Sequence, residues 1–407
     1  MRRAVTAWQV VVLLLLLSAV ISGYLLLAAA WRQTQAEQAG IEPTSSISRN
    51  AVELLSPRQP VIHRVGDPIP ITALATRPDY ARMELLIDGV AVAASANPDL
   101  ETAPWQVEFS WIGQVEGVYL VGAQARHAEG RWAVTEAVTV TVVPTGNLFF
   151  ASNRGGAYAV YRMGSDGRDL VRLSAGPSDA RQPCVQTDGT LVYASDSGDG
   201  RSVVYLALAG GEPAPIVAGI DPACSPAGGR LAYVAGVEGT SQVLTVYPWG
   251  GGSLVVTAET AYAGQPAWSP DGTRIAYVAE RDGNSDIWVV PAVGGDPRRV
   301  TDHPAVDWAP AWSPDGSRLA FVSNREGSHQ VYTMRADGSR VERVTDLAGG
   351  AESPAWSPDG FWLALVGYGG FGAGVNAREL YLVRADGEHL LRLTHNRSDD
   401  SDVVWVP

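Results

Sequence analysis

Three stretches of the chain nearly repeat one another: "QPAWSPDGTRIAYVAERDG", "APAWSPDGSRLAFVSNREG" and "SPAWSPDGFWLALVGYGG". Their tryptophans, Trp268, Trp312 and Trp356, stand 44 residues apart. One period upstream lies Cys224 in "DPACSPAGGRLAYVAG", and a weaker copy begins "QPCVQTDGTLVYAS" at Gln182. A period of about 40–45 residues, with several short apolar runs per unit, is the signature of propeller blades. The unit beginning at Gln265 reads as four strands, "PAWS", "RIAYVA", "DIWVV" and "RRVT". Pro270-Asp271-Gly272 supplies the first tight turn, proline presetting φ and glycine accepting a positive one. A second short turn recurs at Asp166-Gly167, Gly210-Gly211, Gly250-Gly251, Gly294-Gly295, Asp337-Gly338 and Asp386-Gly387, which predicts six blades.

The first unit, "GNLFFASNRGGAYAVYRMGSDGRDLVRLS", lacks its opening strand. The chain's last residues, "SDVVWVP", align with "ESPAWSP" and place Trp405 on the tryptophan column. The C-terminal strand is therefore expected to complete blade one and close the ring, leaving no open sheet edge there. These motifs resemble the TolB-type six-bladed propeller family over residues 144–407. That resemblance implies an all-β propeller. Members serve as periplasmic partner-binding proteins, cap prolyl oligopeptidase-like enzymes or act as lyases. This chain departs from the family in what precedes the propeller.

Residues 59–143 hold short alternating runs, among them "PITALAT", "RMELLIDGVAVAAS", "PWQVEFSWI", "GVYLVGAQARHAEGRWAV" and "AVTVTVV". Asp88-Gly89 between two apolar runs is a hairpin signal. Seven or so strands in this span predict an antiparallel sandwich, and their order resembles bacterial immunoglobulin-like domains. A spacer role follows from that resemblance.

At the amino terminus, Val10 to Ala30 carries no charge, about the length that spans a bilayer. Trp8 and Trp31 bracket the run, and Arg2 and Arg3 favour an inside amino terminus. We read residues 1–9 as cytoplasmic, 10–31 as an uncleaved transmembrane signal anchor and 32–58 as a polar tether. A cleaved signal peptide ending near Ala28-Ala29-Ala30 is the competing reading, but the apolar run is longer than such signals carry. The expected location is the cytoplasmic membrane, single-pass, with the bulk of the chain extracytoplasmic.

The chain has no lysine, and its net charge is -13. The first fact removes Schiff-base and P-loop lysine chemistry, and the second argues against a nucleic-acid partner. The six histidines show no metal-ligand spacing, there is no Gly-x-Ser-x-Gly elbow, and the "PAWS" strands carry no acid or histidine. No cofactor, metal or catalytic residue is expected. The recurring tryptophans read as packing between blades rather than as sugar platforms. Cys184 and Cys224, on innermost strands of adjacent blades, form either a disulfide or two buried thiols.

What remains is surface. The short turns gather on one face of the disc and the longer connections on the other. The long-connection face is expected to carry Tyr262, Asp302, Asp307, Trp308, Tyr368, Phe371, Asp399, Asp400 and Asp402. Aromatics among carboxylates suit a partner with basic residues around an apolar anchor. The expected function is a membrane-anchored binding or scaffold protein that recognises a protein, peptide or envelope glycan. The alternative is a propeller enzyme acting on a polysaccharide.

Overall fold

The computed structural model describes residues 51–101, 104–174, 179–196, 202–207, 212–237, 240–247, 251–368 and 377–407. The anchor at 10–31, most of the tether and Phe371 lie outside them. Every regular element among the described residues is a strand, and none is a helix long and apolar enough to cross a membrane.

Two compact units divide the chain. One gathers the described part of Met1–Arg58 with Pro70–Phe109 and Leu120–Val138; the other gathers Gln59–Ile69, Ser110–Tyr119 and Thr139–Pro407. In the first, Ala73, Ala75, Tyr80, Met83, Val107, Ala123 and Ala125 form the buried core. Tyr80–Ile87 and Val90–Ala96 pair across Asp88 (φ 50°) and Gly89 (φ 78°), the two left-handed residues that a tight hairpin needs. The sheets run Val52–Ser56, Pro68–Ala75, Trp105–Ile112 and, separately, Val61–Arg64, Val138–Val143, Gly117–His127, Tyr80–Ile87, Val90–Ala96. One pairing, Val61–Arg64 with Val138–Val143, is parallel. Val52–Ser56 is a correction to the tether: its Val-Glu-Leu-Leu run pairs with Pro68–Ala75 and buries Val52.

The second unit holds six four-stranded antiparallel sheets, one per repeat. Their innermost strands are, from blade one, Asp400–Val406, Ala180–Val185, Ile220–Cys224, Ala263–Trp268, Asp307–Trp312 and Ala351–Trp356. The C-terminal strand pairs with Asn147–Gly155, setting Trp405 opposite Leu148, so the first and last strands of the six sheets lie side by side in one of them. Trp405, Phe150, Tyr161, Trp362 and Leu380 share a buried cluster.

Turn chemistry explains the repeat. In blade four the Ser269 hydroxyl donates to Asp271 Oδ1 at 2.5 Å, Asp271 accepts from the Thr273 N–H, and Gly272 takes φ 68°. The Ser269 hydroxyl holds the Asp271 carboxyl down at about 2. Ser313–Asp315 and Ser357–Asp359 repeat the bond at 2.6 Å. Two segments outside the repeats contact the blades. Arg64 reaches Asp169 at 2.7 Å, and Glu116 accepts the Trp362 indole N–H at 2.9 Å.

A candidate binding site at the mouth of the axis

Every innermost strand breaks its register once, and at each break one residue takes the left-handed conformation. These are Asp402 (φ 55°), Gln182 (φ 53°), Asp221 (φ 52°), Gln265 (φ 51°), Ala309 (φ 51°) and Ser353 (φ 52°). Each stands three residues before the tryptophan column. None is glycine, so six residues hold a backbone that side chains disfavour, and such strain persists only where surroundings fix it.

Hydrogen bonds between neighbouring blades fix four of the six, at their backbone N–H groups. Asp402 Oδ2 accepts from the Gln182 backbone N–H at 3.4 Å, and Gln182 Oε1 accepts from the Asp221 N–H at 3.1 Å. The Gln182 side-chain amide also donates to Asp221 Oδ1. Asp221 Oδ2 then accepts from the Gln265 N–H at 3.2 Å, and Gln265 Oε1 from the Ala309 N–H at 2.8 Å. Ala309 has no side-chain acceptor, so the relay ends there. Innermost strands line the central channel of a propeller, which puts this belt on the axis. Burial pushes the Asp221 carboxyl up to about 6 and raises Asp402 as well. It also pushes the Tyr262 phenol up to about 12, with the Asp221 charge adding to the effect.

Around the belt, polar side chains of blades one, two and six meet. The Arg181 guanidinium lies 3.4 Å over the Tyr158 ring. The Tyr158 hydroxyl accepts from Arg378 Nη2 at 2.9 Å and donates to Asp399 Oδ2 at 3.4 Å. Arg378 Nη1 reaches Glu352 at 3.3 Å, and the Arg378 N–H donates to Asp399 Oδ1 at 3.1 Å. Burial opposes its charge, yet Tyr158 and Glu352 together hold the guanidinium above its usual range. Burial and a hydrogen bond to Glu352 push the Tyr368 phenol up to about 12. The groups at the mouth hold one another in place.

Of the residues named from sequence, the structure brings Tyr368, Asp399 and Asp402 to this mouth, and Tyr262 lies close enough to Asp221 for its phenol to feel that charge. Trp308 is half-buried and meets the His329 ring edge-on at 4.7 Å. Asp302 is exposed and paired with Arg299 at 2.9 Å. Asp307 and Asp400 are corrections, because neither carboxylate reaches the surface. Asp307 is fully buried and accepts at both oxygens from Arg325 Nη2 at 3.1 Å. Asp400 repeats the arrangement with Arg154 at 2.8 Å. In both blades a Ser-Asn-Arg tripeptide at the end of the next strand (Ser323–Arg325, Ser152–Arg154) turns its guanidinium inward, so these aspartates latch the blade.

The expectation that the innermost strands carry no acid is also corrected. Those strands begin before the Pro-Ala-Trp motif, and the added residues include Asp221, Glu352 and Asp402. Gln182, Gln265, Arg181, Tyr158 and Arg378 were missed. For Gln182 and Gln265 the signal was the column three residues before the tryptophan, where Asp, Gln, Asp, Gln, Ala and Ser stand. Cys184 and Cys224 are joined by a disulfide, Cα–Cα 5.6 Å. Among the described residues no group of histidine, cysteine and acidic side chains has metal-binding geometry.

Residues 212–367 match the TolB beta propeller domain family, and the propeller is of that type. Among solved structures, TolB from Acinetobacter baumannii is 18% identical with a TM-score of 0.58, over 72% of this chain and 80% of that one. An Agrobacterium tumefaciens protein assigned to TolB is 24% identical with a TM-score of 0.51, over 65% and 100%. Hydrazine synthase of Kuenenia stuttgartiensis shares the fold at 15% identity and a TM-score of 0.51, over 65% of this chain and 47% of that one. No curated protein matches the sequence.

Proposed function

We propose that this protein uses its TolB-type propeller as a binding module, held outside the cytoplasmic membrane by residues 10–31, and that the partner, a protein, peptide or envelope glycan, docks over the mouth of the axis. The observation that carries the reading is the interlocked set Tyr158, Arg181, Glu352, Arg378 and Asp399. Groups already ordered lose little entropy when a partner arrives, and aromatic and arginine side chains are the usual anchors of such contacts. In this reading the C-terminal strand closes the ring, and the preceding immunoglobulin-like unit is a spacer. The Cys184–Cys224 disulfide supports an oxidising, extracytoplasmic setting.

A second reading, an enzyme acting on a polysaccharide, takes support from the raised carboxyl groups of Asp221 and Asp402 near the axis. Both carboxylates, however, already accept backbone N–H groups of the neighbouring blade, which makes them structural acceptors. The test uses the full-length protein in mild detergent. Arg181→Ala and Tyr158→Phe should each weaken capture of its partner about tenfold, and Asp271→Ala on the short-turn face should leave capture unchanged. Equal loss from Asp271→Ala, or product release from a polysaccharide that Asp221→Asn abolishes, would refute the binding reading.

A further inference from the structure

The repeat places the first residue of the second strand opposite the last residue of the third, and blade five fills both positions with arginine. Arg318 and Arg335 are direct cross-strand partners. Like charges so placed repel, since facing Cβ atoms of an antiparallel pair lie about 5 Å apart. Blade four sets Arg274 against Pro291, and blade six sets Trp362 against Arg384. Arg384 is answered by Asp386 at 3.1 Å. The corresponding acid of blade five, Asp337, accepts at Oδ1 the Ser339 N–H at 2.9 Å and its hydroxyl at 2.6 Å; those bonds, with the charges of Arg335 and Arg298 adding to them, hold its carboxyl below the usual range.

The paired guanidiniums open onto a 680 Å³ cavity lined also by Ser317, Asp337, Arg340 and Glu342. Among the described residues no ion pair joins Arg335 or Arg340 to an acid. Arg318 is held in position, donating to Thr333 Oγ1 at 2.6 Å and lying 5.3 Å from the Trp356 ring centre. Beside the cavity, Arg298 donates to the Ala336 and Asp337 carbonyls at 2.9 and 3.2 Å and adds a fourth positive charge. Four arginines thus meet two acids, Asp337 and Glu342, on a chain of net charge -13.

We propose that this cavity is a binding site for a phosphate group. Guanidinium forks converging from two strands and a turn suit a tetrahedral oxyanion, whose oxygens accept from several directions at once. The bound group relieves the Arg318–Arg335 repulsion, so ligand and fold stabilise one another. A phospholipid headgroup and a free or glycan-borne phosphate offer the same chemistry.

The experiment titrates the full-length protein, in zwitterionic detergent and phosphate-free buffer, with inorganic phosphate and separately with dihexanoyl phosphatidylglycerol; dihexanoyl phosphatidylcholine is the zwitterionic comparison. Both anionic probes should raise the melting temperature and bind saturably. Arg335→Gln with Arg340→Gln should weaken binding at least tenfold, without lowering the melting temperature in phosphate-free buffer. Arg335→Lys, which keeps the charge and loses the fork, should fall between. Binding of phosphatidylglycerol alone would assign the site to lipid headgroups, and binding of inorganic phosphate alone to soluble or glycan-borne phosphate. The proposal is overturned if neither binds, if phosphatidylcholine binds as well as phosphatidylglycerol, or if the double variant binds as tightly as the parent.

Discussion

From blade three to blade six, an arginine of each blade lies over the tryptophan of the next. Arg230 sits 5.9 Å from the Trp268 ring centre, Arg274 4.7 Å from Trp312 and Arg318 5.3 Å from Trp356. Two of these indoles also donate to the preceding blade, Trp268 to the Ala223 carbonyl at 3.0 Å and Trp356 to that of Ala311 at 3.1 Å. Between blades two and three the joint is built otherwise. Cys224 stands in the tryptophan column, and a disulfide ties it to Cys184 across the gap. A large ring supplies area and a polar edge; a small side chain supplies neither, and a covalent bond makes up the difference.

The comparison breaks most visibly where the tryptophan column meets the chain's end. Trp405 is buried among Leu148, Phe150, Trp362 and Leu380. Trp405→Ala should cost about 3–5 kcal/mol, read as a lower midpoint in chemical denaturation. An unchanged midpoint would show that the terminal strand contributes nothing to blade one.

Removing the covalent joint should cost slightly less. The bridge closes a loop of sequence separation 40. Chain entropy for such a loop gives about 4 kcal/mol, and measured bridges commonly deliver about 2–4. Cys184→Ser with Cys224→Ala should therefore lower stability by that amount, and reductant should reproduce the loss in the parent but not in the variant. Placing tryptophan at Cys224 should recover part of it if the two joints are equivalent.

The SPDG turns and the position of the terminal strand were legible because proline, aspartate and glycine each dictate a local conformation. The axial belt was not. Positive φ at Gln182, Gln265, Ala309 and Ser353 has no glycine to announce it, and the bonds that hold it run between blades about 40 residues apart in sequence. Asp307 and Asp400 looked like loop acids because a polar residue near a connection is exposed by default. Their burial depends on Arg325 and Arg154, residues whose inward turn only the packed blade reveals. Tether and sandwich were misdivided for a similar reason. Val52–Ser56 is short, and its partner strand supplies the alternation it lacks.

A third prediction separates the belt from both kinds of joint, because the belt titrates. The Asp221 carboxyl is pushed up to about 6, above its ordinary 3.8, so the folded state favours the protonated form. The folded protein then binds more protons than the unfolded chain between those values, and stability falls as pH rises through that window. Above pH 6 the ionised, desolvated carboxylate costs roughly 1–3 kcal/mol. Asp221→Asn should accordingly stabilise the propeller at pH 7.5 relative to pH 5, while Trp405→Ala and the cysteine variants shift stability equally at both. Parallel pH profiles for parent and Asp221→Asn would refute the assignment.

The smallest effect tests whether the arginine ladder matters beyond the area it covers. Arg274 is the closest of the three to its ring, at 4.7 Å from Trp312. Cation–π pairs of this exposure contribute about 0.5–1 kcal/mol, and the arginine stem covers apolar surface besides. Arg274→Met keeps most of the stem and removes the charge, so it should cost no more than about 1 kcal/mol. Repeating it over Trp312→Leu isolates the pairwise part, because without the ring the charge has nothing to face. If Arg274→Met costs the same with and without Trp312, the ladder works through contact area alone. The two joints would then differ only in how much surface they bury.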